Sequence, residues 1–172
     1  MRRTTLLILC SLSFIGCAST SRPSSAAASS SPVEFALKDA HGDDVSFAEF
    51  RGKPAIIDFW ASWCEPCKTA MPFFDELHGK YGDRLVVIGV SVDDDPAKMR
   101  AALEQRPVRF LILNDPKGEL AARMNVETMP STFVVDQKGV VRNVHRGFVA
   151  SDRTGIEAEV AALLSEPAAS TK

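Results

Sequence analysis

Cys64 and Cys67, in the run Trp63-Cys64-Glu65-Pro66-Cys67, are the residues of this 172-residue chain whose types and spacing best suit chemistry. Two thiols three positions apart close a very small ring. Such a ring restrains an unfolded chain far less than a long-range bridge, so the pair suits a reversible redox couple better than a structural staple. A zinc site would need two further ligands, and there is no second C-x-x-C and no paired histidine motif. His41, His78 and His145 stand apart, in a turn, a helix and a strand end by the pattern around them. Covalent c-type haem attachment requires histidine directly after the second cysteine, where Lys68 stands. Neither a metal nor a cofactor is expected.

Thiol–disulfide exchange needs a thiolate, and a helix N-terminus stabilises one through its partial positive charge and unpaired N–H groups. The sequence around the cysteines provides that setting. Ala55 to Ala61 is a dense apolar run of strand length, and the spacing of Phe73, Phe74, Leu77 and Tyr81 predicts a helix from Cys64 to about Tyr81. Pro72 inside it predicts a kink. Cys64, at the helix start, is then the expected nucleophile with a lowered pKa, and Cys67, one turn in and more shielded, the resolving thiol. Glu65 and Pro66 are tuning positions. A carboxylate at Glu65 is favoured by the helix terminus but opposes a thiolate at Cys64, and the two effects are of comparable size. Asp58 lies inside Ile56-Ile57-Asp58-Phe59-Trp60. If buried, its pKa should rise, which suits a proton acceptor and donor; the alternative is a strand-edge aspartate reaching solvent.

The other elements follow from the same patterns. Val33–Leu37 and Asp44–Phe47 flank a turn and predict an N-terminal hairpin. Leu85–Val92 reads as a buried strand, Asp95-Pro96 opens a helix carrying Met99, Ala102 and Leu103, and Phe110–Leu113 is a short strand. Asn114 to Gly118 turns into a helix ending near Met124. Ser131–Val135 and Val140–Val144 form a second hairpin, and a last helix runs from about Asp152 to Leu164. This order demands an α/β fold with a mixed sheet and helices on both faces.

The ends are read differently. Met1-Arg2-Arg3 followed by the apolar Leu6–Ile15 is a secretory signal, too short to span a bilayer as a mature helix. It ends Phe14-Ile15-Gly16-Cys17, which resembles a bacterial lipobox with Phe14 where leucine is usual, and makes Cys17 the expected lipidation site. Ordinary secretion with cleavage near Ala18 or beyond is the alternative. The expected organisation is a signal peptide at 1–16, a lipidated Cys17 and flexible Ser/Ala/Pro tether at 17–32, the folded domain at 33–166 and a polar tail at 167–172. A tether of about 15 residues reaches roughly 20 Å. Export would place the cysteines where a disulfide persists. The net charge of −2 becomes two units more negative without Arg2 and Arg3, which excludes a basic nucleic-acid surface and leaves the lipid as the membrane attachment.

The run Asp58-Phe59-Trp60-Ala61-Ser62-Trp63-Cys64-Glu65-Pro66-Cys67-Lys68, with Pro72 and the later Met129-Pro130-Ser131-Thr132-Phe133, resembles the thioredoxin superfamily. Ser91 to Val126 is similar to the extra αβ insertion of TlpA/ResA-like exported proteins. The resemblance covers about Val33 to Leu164. It implies a thioredoxin fold, a redox-active Cys64–Cys67 disulfide, a cis-proline at Pro130, and substrate binding by Met129, Pro130 and Trp63. It also implies that Asp58 handles the proton of Cys67, that Trp60 frames the site or is simply core, and that the partners are protein thiols and disulfides, with a membrane thiol-transfer protein as electron donor. Two positions depart from the pattern: Ala70 stands where ResA-like proteins often carry glutamate, and no lysine occurs on Leu85–Val92. The expected work is reduction or exchange of disulfides in exported proteins of the bacterial envelope, such as apocytochrome c. The alternatives are an envelope dithiol oxidase and a non-catalytic peptide-binding module. A peroxidase is disfavoured because no T-x-x-C motif precedes the helix.

Overall fold

The computed structural model describes residues 31–167; Cys17, the signal segment, most of the tether and the end of the tail lie outside them. Seven strands form one sheet in the order β2-β1-β5-β4-β3-β6-β7. They are β1 (Ala36–Asp39), β2 (Asp44–Ser46), β3 (Ala55–Trp60), β4 (Val86–Ser91), β5 (Leu111–Asn114), β6 (Ser131–Val135) and β7 (Val141–Arg146). The helices are α1 (Glu65–Tyr81), α2 (Pro96–Gln105), α3 (Glu119–Arg123) and α4 (Asp152–Ser165). Among the described residues no helix is long and apolar enough to cross a membrane.

β3 is the organising strand. All six of its residues are buried, as a strand covered on both faces requires. It pairs in parallel with β4 and antiparallel with β6, which makes the sheet mixed. Its alternation separates two cores. Ile56 and Trp60 face a layer built with Cys67, Phe74 and Leu77 of α1, Met99 of α2 and Ile156 of α4. Ala55, Ile57 and Phe59 face the other, with Phe35, Phe47 and Leu120 of α3. The crossovers β3-α1-β4 and β4-α2-β5 step the same way across the sheet, so their shared right-handedness puts α1 and α2 on one face.

The expected elements are present with shifted ends. The first hairpin begins at Ala36 rather than Val33, and β2 stops at Ser46 because Ser46 caps a single 3₁₀ turn over Phe47–Phe50, with Glu49 bonding back to the Ser46 N–H. Its turn is closed by one Asp39 oxygen, which accepts from the N–H groups of His41, Gly42 and Asp43. α1 runs continuously past Pro72. The Ser91–Val126 stretch supplies α2, β5 and α3.

Five-residue α3 has little intrinsic stability. Buried Asp115 holds its start, accepting from Glu119 N at 3.0 Å and Ala121 N at 2.9 Å. Asp115→Ala should therefore cost about 1–2 kcal/mol in urea unfolding; an unchanged midpoint would contradict this role.

Candidate active site

β3 ends at Trp60 and α1 begins at Glu65, so residues 61–64 are the whole connection. Cys64 is the N-cap of α1, extended at φ −84° and ψ 104°, and its Sγ accepts the Cys67 N–H at 3.2 Å. Pro66 occupies the first turn, where a missing N–H costs nothing. The two cysteines are joined as a disulfide. Cys64 retains 4% exposure and Cys67 none, so the first sulfur is the one nearer solvent.

Glu65 has a cationic partner. Its carboxylate points outward and pairs with Lys68, which holds its pKa below the usual carboxylate value, with Arg106 adding to the effect. Lys68 thus sets a positive charge against the Glu65 carboxylate one turn along α1.

Asp58 is 2% exposed and does not reach solvent. It lies between Ile56 and Trp60 on the β3 face turned towards α1 and Cys67. Burial pushes its pKa up to about 8, against a lowering contribution from the Thr132 hydroxyl, which donates to Oδ1 at 2.8 Å. Thr132 stands directly across from Asp58 on β6, and Gly89 directly across on β4. Gly89 brings no side chain, and so no cation, to the carboxyl. A Cβ there would lie 2.8 Å from Ile112 Cδ1, 3.1 Å from Phe110 and 3.2 Å from Trp60 Nε1. Ala70, one turn beyond Cys67, is fully buried and brings no second carboxylate.

Around the sulfurs, Trp63 is 66% exposed while Trp60 is core, its Nε1 without a hydrogen-bond partner among the described residues. The Met129–Pro130 peptide is cis. Pro130 O accepts the Gly147 N–H at 2.7 Å, and Ser131 Oγ donates to Thr128 O at 2.7 Å, so the loop is fixed on both sides of Met129. Met129 packs against the core layer that contains both cysteines. Val149, just past the Gly147 contact, is the other large apolar side chain exposed among the described residues. His145 pairs with Glu159, and no group of potential metal ligands occurs among the described residues. The sequence did not single out Thr132, Gly89 or Asp93, whose carboxylate holds Ser62 just before Trp63. Only sheet register and packing bring them to the site.

Fold and site together define a thioredoxin-like thiol–disulfide oxidoreductase. The profile of the AhpC/TSA family matches residues 30–144, and the chain belongs to that family. Thioredoxin-like protein YneN of Bacillus subtilis (strain 168) is 36% identical over 117 residues, 66% of this chain and 68% of its own. A Chlorobium tepidum protein provisionally named a thiol:disulfide interchange protein DsbE superposes with a TM-score of 0.75 at 32% identity, covering 77% of this chain and 94% of its own. The exposed lipoprotein thioredoxin Etrx1 of Streptococcus pneumoniae strain TIGR4 gives 0.69 at 26% identity, over 76% and 100% respectively.

Asp58 also makes stability depend on pH. Below its unfolded value near 3.8 it is protonated in both states and costs nothing. Between 3.8 and about 8 the native state keeps a proton that the unfolded chain releases, so stability falls as pH rises, and levels above about 8. Asp58→Asn lacks this penalty. Its unfolding midpoint should gain on wild type steadily across that interval, and a constant difference would refute burial of an ionisable group there.

Proposed function

We propose that the chain is an extracytoplasmic dithiol protein, held at a bacterial membrane by lipid on Cys17, that reduces or exchanges disulfides of exported proteins such as apocytochrome c. Cys64 as N-cap of α1, accepting the Cys67 N–H above a buried carboxyl, is the observation that carries the chemistry. The Cys64 thiolate attacks one sulfur of a substrate disulfide, forming a mixed disulfide and releasing the other substrate sulfur as thiolate. Asp58 in its carboxylate form takes the proton of Cys67. The Cys67 thiolate then attacks Cys64 Sγ, closing the Cys64–Cys67 bond and freeing the second substrate thiolate. Two electrons pass to the substrate, and a membrane thiol-transfer protein restores the dithiol.

Substrate binding falls to Trp63, Met129 and Pro130. Among the described residues the Met129 backbone makes no hydrogen bond, so an extended substrate segment can pair with it. Support for location comes from the signal-like Leu6–Ile15, from Cys17 in its lipobox-like setting, and from the likeness to a protein named an exposed lipoprotein.

Cys67→Ser should accumulate a mixed disulfide with its partner in envelope extracts, and Cys64→Ser should form none and lose disulfide reduction to background. Adducts on Cys64→Ser instead would reverse the assigned roles. Equilibration with glutathione reads the direction: a potential near thioredoxin's value of about −270 mV fits a reductant, and one near about −120 mV would make the protein an oxidase.

A further inference from the structure

The link between β3 and α1 is short, and regular pairing holds only its ends. Val92 N donates to Trp60 O at 3.0 Å, and Cys64 N to Ala61 O at 3.1 Å. Between them lies Ser62, beyond the last residue that β3 pairs with β6. The acceptor for its N–H is Asp93, two residues past the end of β4. Ser62 N donates to the two carboxylate oxygens at 2.9 and 3.2 Å, and Ser62 Oγ donates to Oδ1 at 2.7 Å. Ser91 Oγ donates to Oδ2 at 2.9 Å.

Asp93 is 1% exposed and has no salt bridge among the described residues. A buried carboxylate without a cation is costly unless hydrogen-bonded throughout, and here neutral donors meet both oxygens. Its neighbours serve α2 instead: Asp95 caps that helix, and Asp94 pairs with Lys98. Asp93 alone turns back to the connection that carries Trp63 and Cys64.

We infer that Asp93 is a positioning residue of the redox site: through Ser62 it holds the β3–α1 turn so that Cys64 keeps its place on the N-terminus of α1 in the dithiol state. The inference rests on the exchange function proposed above. In the disulfide state the Cys64–Cys67 bond itself ties the turn to α1. The Asp93–Ser62 contacts are already in place beside the closed disulfide; reduction breaks the Cys64–Cys67 bond and leaves them as the remaining side-chain hold on the turn. Their loss costs the dithiol form more than the disulfide form. A couple whose reduced form is destabilised shifts towards the disulfide.

Asp93→Ala, Asp93→Asn and Ser62→Ala test this in a protein whose Glu65–Lys68 pair and Asp58 are left untouched. The readouts are the equilibrium with glutathione, the pH midpoint of Cys64 alkylation, and thermal unfolding of both redox forms. Asp93→Ala should raise the Cys64 midpoint by about one unit and, at a pH above both midpoints, shift the equilibrium about tenfold towards the disulfide. Asp93→Asn keeps an acceptor for Ser62 N and should stay within about threefold of wild type. Ser62→Ala, which keeps the N–H and the charge, should move both readouts in the same direction by less, and does so even where Asp93→Ala fails to fold. A shift towards the dithiol in both Asp93 variants would show that charge acts rather than position, and would overturn the inference. Equal loss of stability in both redox forms with an unmoved equilibrium would overturn it as well. Wild-type protein that fails to exchange with glutathione would instead remove the proposed function.

Discussion

The site depends on one contact: the Cys67 N–H meeting Cys64 Sγ at 3.2 Å. The first N–H groups of any helix lack partners within it, and here a sulfur takes the place usually filled by serine, threonine or aspartate oxygen. For that contact to form, a strand must end, turn within residues 61–64 and start a helix on a cysteine. β3 meets the requirement because it is fixed on both sides, by β4 and β6, and buried along its length. The fold thus delivers the Cys64 sulfur to a helix N-terminus, a position that favours a thiolate, while the next turn of the helix buries the second sulfur.

Burial also decides the character of Asp58. Desolvation outweighs the hydrogen bond from Thr132, and the carboxyl holds its proton to about pH 8. Gly89, directly across on β4, carries no side chain, and Ile112, Phe110 and Trp60 pack over it, so no cation opposes that shift from this position. A group that changes protonation near neutral pH, on the same face as Cys67, suits the proton role proposed for it. The same burial weakens the fold as pH rises, through a single strand residue.

Much of this was legible in the sequence because it is local. The apolar run before the cysteines, the helical spacing after them, the Asp95-Pro96 start and the two hairpins each lie within one window, and all recur in the structure with ends displaced by a few residues. Phe47 misled because β-like composition continues past Ser46, whereas the Ser46–Glu49 capping box turns the chain. Thr132 and Gly89 were not legible as partners of Asp58, since only strand register across 74 and 31 positions aligns them. Asp93 was hidden for a related reason. In the run Asp93-Asp94-Asp95 three identical side chains do three different things, and only the end of β4 determines which of them turns inward. The pairing of Glu65 with Lys68 was not legible either, since it depends on rotamers that composition does not specify.

In the proposed mechanism the helix terminus makes the two thiols unequal, with Cys64 the reactive one. Titration of thiolate ultraviolet absorbance in the reduced protein tests it most directly. One thiol should ionise well below the free value of about 8.5, retained in Cys67→Ser and absent from Cys64→Ser, and a second should ionise above it. Two thiols titrating together near about 8.5 would contradict it.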